Sequence, residues 1–222
     1  MRPDETQLMV TPHDRQTNPV AYINGRSGLF AGDCSSHAST RPFAHHMMRE
    51  HWFNNQHHIF YPSAVAVHAY SRRWRQQTAW SIKTQLDRLA TDAGRPVDVV
   101  AHSMACLLLW ESAWHNLESV RRIVLVAPAM SHKVNWDHLN FDQMLVLTNT
   151  RDRALFWGNL LPWHPYGLAG RRGFSVDDQR IRHVNIPDKA KADIHRHSHY
   201  FREPAIHEVG ALVEDFLTDT NP

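Results

Sequence analysis

Apolar residues in this chain fall into short runs separated by amphipathic stretches, and that alternation carries the first prediction. The run VAYIN at 20–24 reads as a short buried strand that breaks at Gly25, Gly28 and Gly32. Residues 36–55 have helical character, with Phe43, Met47, Met48 and Phe53 as the inward set. Pro42 then belongs in the first turn, where its missing N–H is harmless. HIFY at 58–61 reads as a second strand. The clearest helical period runs from 74 to 93: Trp74, Thr78, Ile82, Leu86, Leu89 and Ala93 recur three or four apart and share a face. Gly94 and Pro96 stop that helix. VDVVA at 97–101 is a β-branched strand, followed by a helix from 104 to 116. Further strands are predicted at 122–129, 143–149 and 180–186. A closing helix at 203–217 turns Ala205, Val209, Leu212, Val213 and Phe216 inward, with Pro204 near its start. Strand–helix alternation of this kind predicts an α/β fold: a mostly parallel central sheet with helices on both faces. The polar opening stretch reads as a flexible arm at 1–18, leaving one domain over 19–222.

One junction in this pattern carries chemistry. The chain reads V-D-V-V-A-H-S-M-A-C-L-L-L from 97 to 109, so Ser103 stands where a buried-type strand turns into an apolar helix. A serine on such a turn is a nucleophile elbow; the turn is tight, so the residues two before and two after it must be small, here Ala101 and Ala105. The helix N-terminus behind it offers backbone N–H groups to an oxyanion, with Met104 as the expected donor. The competing reading is that Ser103 only caps the helix. A triad in this architecture runs serine, acid, histidine along the chain. Asp152 follows the 143–149 strand and is the candidate acid, with Asp177 and Asp178 as substitutes. The segment D-I-H-R-H-S-H-Y-F before the last helix supplies His195, His197 and His199 as candidate bases.

Together these residues resemble the α/β-hydrolase superfamily, and within it a small lipase- and esterase-like bacterial family of serine hydrolases. That family's Trp-Pro-Ser segment, A-H-S-M-G elbow, S-x-x-D-x-A-L acid segment, A-G-x-x-G stretch and terminal H-S-Y-F have counterparts here. They stand at Tyr61-Pro62-Ser63, 101–105, 148–155, 169–173 and 197–201. The resemblance spans roughly 20 to 217. It selects His197 as the base, because the family's histidine directly precedes serine. It also implies that the main-chain N–H of Arg26 is the second oxyanion donor beside Met104. Two departures stand out: Ala105 replaces the second elbow glycine, and Asn24 replaces the usual histidine before Gly25. The implied activity is cleavage of carboxylic esters through Ser103, His197 and Asp152. The short spacing between the strands at 122–129 and 143–149 leaves no room for a large cap domain. The aromatic stretch at 157–173, with Trp157, Trp163 and Tyr166, is the candidate pocket wall.

Composition then narrows the alternatives. The 222 residues hold 24 Lys+Arg against 22 Asp+Glu, a formal net charge of +2, which argues against a dedicated nucleic-acid binder. No run approaches the roughly 18 apolar residues of a membrane span, and the opening lacks the apolar core of a signal peptide. A cytoplasmic protein is therefore expected, with Cys34 and Cys106 as reduced thiols. The 18 histidines invite a metal reading. His195, His197 and His199 alternate and could share an ion, but they lack the spaced carboxylates of a zinc hydrolase. No metal and no cofactor are expected, and the partner is a small acyl ester. A hydrolase fold reduced to binding is the other alternative.

Overall fold

The computed structural model describes residues 18–24, 40–50, 55–59, 61, 71–159, 167–186, 197 and 199–219. Six strands form one sheet: β1 (Val20–Ile23), β2 (Gln56–Ile59), β3 (Val97–His102), β4 (Val120–Val126), β5 (Gln143–Thr148) and β6 (Ile181–Asn185). Their spatial order is β2-β1-β3-β4-β5-β6, and every neighbouring pair is parallel. Among the described residues the helices are α1 (Thr40–Glu50), α2 (Arg72–Ala93), α3 (Met104–Ala113), α4 (Arg153–Asn159), α5 (Ala169–Arg172) and α6 (Ala205–Thr218), with a 3-10 turn at His199–Phe201.

Strand parity divides the core into two layers. Ala21, Ile23, Val97, Val99, Ala101, Ile123, Leu125, Met144 and Val146 turn to one face, against Ile82 and Leu86 of α2 and Leu108 of α3. Tyr22, Val100, Val124, Val126, Leu145 and Leu147 turn to the other, against Phe43 and Met47 of α1 and Val209, Val213 and Phe216 of α6. Both faces are covered, which is why these strands are almost continuously apolar. Residues 127–142, between β4 and β5, contain turns and no helix, so no cap domain enters there. No described helix is long and apolar enough to cross a membrane.

Several boundaries move for identifiable reasons. The helix expected at 36–55 is described over Thr40–Glu50, and Pro42 does sit in its first turn. Met48 was expected inward but is 45% exposed. Phe43, Ala44 and Met47 already fill the buried stripe, and Met48 lies about 100° round the helix from Met47. The fourth predicted strand, 122–129, stops at Val126. Ala127 has φ 47, and Pro128 has no N–H to give a ladder. α3 ends at Ala113, three residues before the expected 116, where Asn116 takes a left-handed φ of 59. Gly94 closes α2 as anticipated, at φ 64, with its N–H on the carbonyls of Ala90 and Thr91. Residues 1–17, most of the expected arm, lie outside the described residues, as does Cys34. Cys106 is a buried free thiol.

Candidate active site

The sheet places the junction residues before any side chain is considered. β1 leads outward to β2, and the chain then returns across β1 to form β3. The carboxyl ends of β1 and β3 therefore flank the point where strand order reverses, the crevice where open α/β sheets bind ligands. Ser103 stands there, immediately after β3, at φ 58 and ψ −124. A non-glycine residue on the left-handed side of the map stores about 1–3 kcal/mol of strain and persists only where its surroundings over-determine it. They do so here. Ser103 N–H donates to Val126 O at 3.0 Å, and its carbonyl accepts from Cys106 N and Ala129 N, both at 3.1 Å. Ala101 and Ala105 are fully buried on either side, so alanine fits both close approaches.

The capping alternative for Ser103 does not hold, because its side chain makes no capping hydrogen bond. Its Oγ stands 2.6 Å from His197 Nε2 instead. His197 Nδ1 stands 2.6 Å from Asp152 Oδ2. Asp152 side chain is only 1% exposed, against 19% for His197. Segments that follow three different strands thus bring the serine, one of the three candidate histidines and the leading candidate acid into one hydrogen-bonded line. His195 and the side chain of His199 lie outside the described residues. The substitute acids are elsewhere: Asp177 is exposed, and Asp178 is held by Arg180 through an ion pair at 2.7 Å.

Asp152 is held as firmly as Ser103. Its Oδ1 accepts from Leu155 N at 3.0 Å, which fastens the carboxylate to the first turn of α4. Its backbone N–H donates to Asn149 O at 3.1 Å, and Asn149 N–H reaches Gly170 O at 2.9 Å. Gly170 N–H in turn donates to Pro128 O at 2.8 Å. A Cβ on Gly170 would lie 2.7 Å from the Ala127 backbone and 2.5 Å from Leu155 Cδ1. Glycine is required there by contact, and it ties the exits of β4 and β5 to the loop bearing the acid.

Met104 opens α3 and is 3% exposed, so its main chain directly follows the serine. Arg26, the expected second donor, lies outside the described residues. Upstream of it, the Tyr61 hydroxyl donates to Asn24 O at the carboxyl end of β1. Of the expected pocket wall, Trp157 is 65% exposed on α4 and packs edge-to-face on Phe156 with ring centroids 5.4 Å apart. Trp163 and Tyr166 lie outside the described residues. A basic groove of about 550 Å³ lined by Arg41, His45, Arg49 and His207 includes none of Ser103, Asp152 and His197.

Two residues near the site escaped the sequence reading. His102, the last residue of β3, is 3% exposed, and its Nε2 stands 3.3 Å from the carbonyl oxygen of His197. Burial and then the charge of His197 lower its pKa to about 3, opposed by the hydrogen bond to the His197 backbone. Tyr200 is buried beside the acid; burial and the Asp152 charge push its hydroxyl up, so it stays neutral. Parity could have flagged His102, since it shares the face of Val100, the face that α6 covers.

A serine hydrolase family model matches residues 45–153, a span that contains Ser103 and Asp152 and stops short of His197. No curated protein sequence matches this chain. Among solved structures, lipase B of Aspergillus fumigatus superposes with a TM-score of 0.58 at 11% identity, over 97% of this chain and 55% of that one. A carboxylesterase from Mesorhizobium loti gives a TM-score of 0.51 at 12% identity, over 91% of both chains. This chain therefore spans just over half the length of the lipase. At these identities the likeness is one of fold, and it coincides with the parallel sheet order and the serine on its strand-to-helix turn: the chain has the α/β-hydrolase fold.

Proposed function

We propose that this protein is a serine hydrolase that cleaves carboxylic esters of small molecules. One observation carries the reading: the left-handed Ser103 with its Oγ 2.6 Å from His197 Nε2, whose Nδ1 is 2.6 Å from buried Asp152. Ser103 Oγ is the nucleophile. It attacks the acyl carbon while His197 Nε2 takes its proton, and the carbonyl oxygen becomes an oxyanion. The N–H groups of Met104 and Arg26 receive that oxyanion. Collapse of the tetrahedral adduct breaks the bond to the alcohol oxygen, which leaves with the proton from His197. Water then attacks the acyl-Ser103 ester by the same route, releasing the acid and restoring the serine. Asp152 holds the Nδ1–H tautomer and stabilises the imidazolium. Trp157, Trp163 and Tyr166 are the proposed contacts for the apolar part of the substrate. A cytoplasmic setting belongs to the same reading, in keeping with the free thiol of Cys106.

The choice of esters rests on the triad's chemistry, which attacks acyl carbonyls, and the family match supports the hydrolase class. The test pairs a fluorophosphonate probe with a panel of acyl esters of graded chain length. Labelling at Ser103, blocked in Ser103→Ala, together with turnover of at least one ester, is the expected result. An unlabelled, inactive protein would leave a binding role on a hydrolase fold.

A further inference from the structure

The last residue of β3 and the residue that follows it both reach His197. Ser103, on the turn, meets the Nε2 of its ring. His102, one residue earlier, faces the opposite layer from Ala101 and meets its main chain, with Nε2 3.3 Å from the His197 carbonyl oxygen. The two imidazoles lie 5.0 Å apart, inclined at 34°. Phe201 packs edge-on against His102 with centroids 5.0 Å apart, so the ring is boxed in from the same loop. A carbonyl oxygen only accepts, hence Nε2 of His102 carries the hydrogen, and its tautomer is set by this contact.

We propose that His102 is a positioning residue: it donates Nε2–H to the carbonyl oxygen of His197 and holds the base at the distance Ser103 requires. The inference rests on the hydrolase reading above. Its physical basis is that nucleophile and base come from distant parts of the chain, whereas the clamp and the nucleophile are adjacent. Any movement of the β3 end therefore carries both contacts with it. The line from Asp152 fixes only the ring of His197; His102 fixes its backbone. Burial keeps the His102 imidazole uncharged, so the clamp places no like charge beside the imidazolium formed during turnover. The ring itself exchanges no proton with substrate, and its effect is geometric. A misplacement of about 1 Å at such a site can cost about a hundredfold in rate.

Two substitutions separate the hydrogen bond from the packing. His102→Phe keeps a flat ring and removes the donor, while His102→Gln keeps an N–H at nearly the reach of Nε2. With a substrate found for the wild type, His102→Phe should lower kcat by about tenfold or more while KM changes little, and fluorophosphonate labelling should slow in step. His102→Gln should recover most of both. A wild-type kcat in His102→Phe, or a glutamine variant as slow as the phenylalanine one, would overturn the clamp. Should His102→Phe fail to fold, the tautomer decides. NMR of the wild-type protein with 15N-labelled histidine should show His102 as the Nε2–H form, and an Nδ1–H form would refute the proposal. Wild-type protein that neither labels at Ser103 nor cleaves esters would instead overturn the hydrolase reading, and the tautomer measurement would still decide the clamp.

Discussion

Ser103, His197 and Asp152 differ in what each would lose on substitution, and the difference is measurable. In the proposed mechanism, removing the nucleophile or the base abolishes a bond-making role, whereas Asp152 only orients and stabilises. Ser103→Ala and His197→Ala should each lower kcat by at least about a thousandfold with retained folding, and Asp152→Asn by less. A steady-state comparison against one ester checks the order; a His197→Ala enzyme at wild-type rate would remove the base from the mechanism. His102 titrates in a way that gives a second residue-scale prediction. Its imidazole is pressed down to about 3 in the fold but returns to about 6.5 in the unfolded chain. Between those values the unfolded chain holds the extra proton. Stability is thus complete above about pH 6.5 and declines as pH falls toward the folded value, by at most about 1.4 kcal/mol per pH unit. Urea midpoints from neutrality to pH ~4 should therefore fall less steeply in His102→Phe than in the wild type. Equal slopes would mean that His102 is solvated in solution.

At the scale of elements, the short helix α5 does more for the site than its four residues suggest. Its Gly170 bonds to the exits of both β4 and β5, and the Arg171 guanidinium reaches back to Thr150 O. A methyl at Gly170 would press on the backbone of Ala127 and Pro128 and on Leu155 Cδ1. Gly170→Ala should cost about 1–3 kcal/mol of stability and lower kcat, because the displaced backbone carries Asn149 and Asp152. Thermal melts and ester turnover together check this; an alanine variant with unchanged melting would mean that the loop can yield. Another element-scale link lies at the far end of the sheet. Arg122 of β4 is 5% exposed and donates to the Phe216 carbonyl at 2.9 Å and to Asp219 O, closing the last turn of α6. Charged hydrogen bonds of this kind are worth about 1.5–3 kcal/mol each, so Arg122→Met should lower the melting temperature while leaving kcat near its wild-type value. A loss of kcat at an unchanged melting temperature would contradict a purely structural role.

For the whole molecule, the decisive contrast is between serine and metal chemistry. His197 uses Nδ1 toward Asp152 and Nε2 toward Ser103, so both of its nitrogens are committed to hydrogen bonds. Among the described residues no group of three His, Cys, Asp or Glu side chains is gathered to hold an ion. None of the proposed roles of Ser103, His197 and Asp152 needs a cation. Prolonged treatment with EDTA or phenanthroline should leave ester hydrolysis intact. Activity abolished by chelator and restored by zinc would overturn the serine mechanism.

The order of strands and helices was legible along the chain because each element carries its own period. Short β-branched runs imply strands buried on both faces, and the three- and four-residue spacing from Trp74 to Leu89 implies a helix wherever it docks. Ser103 was legible for a related reason: a local turn flanked by small residues needs no distant partner to be recognised. Asp152 could be reached only by counting strands. The choice among three histidines needed the resemblance, since sequence spacing does not say which imidazole meets a carboxylate 45 residues away. Element ends were least legible. The stop at Val126 depends on a left-handed Ala127 whose N–H bonds to Leu147 O of the neighbouring strand. The contacts of His102 and Gly170 were not legible along the chain, because they are made with His197, Pro128 and Asn149, which only the folded sheet brings near. Local period and local turn chemistry are properties of adjacent residues and so are written in the sequence; the hydrogen-bonded line from Ser103 to Asp152, and the side chains that brace it, exist only once parallel strands have been laid side by side.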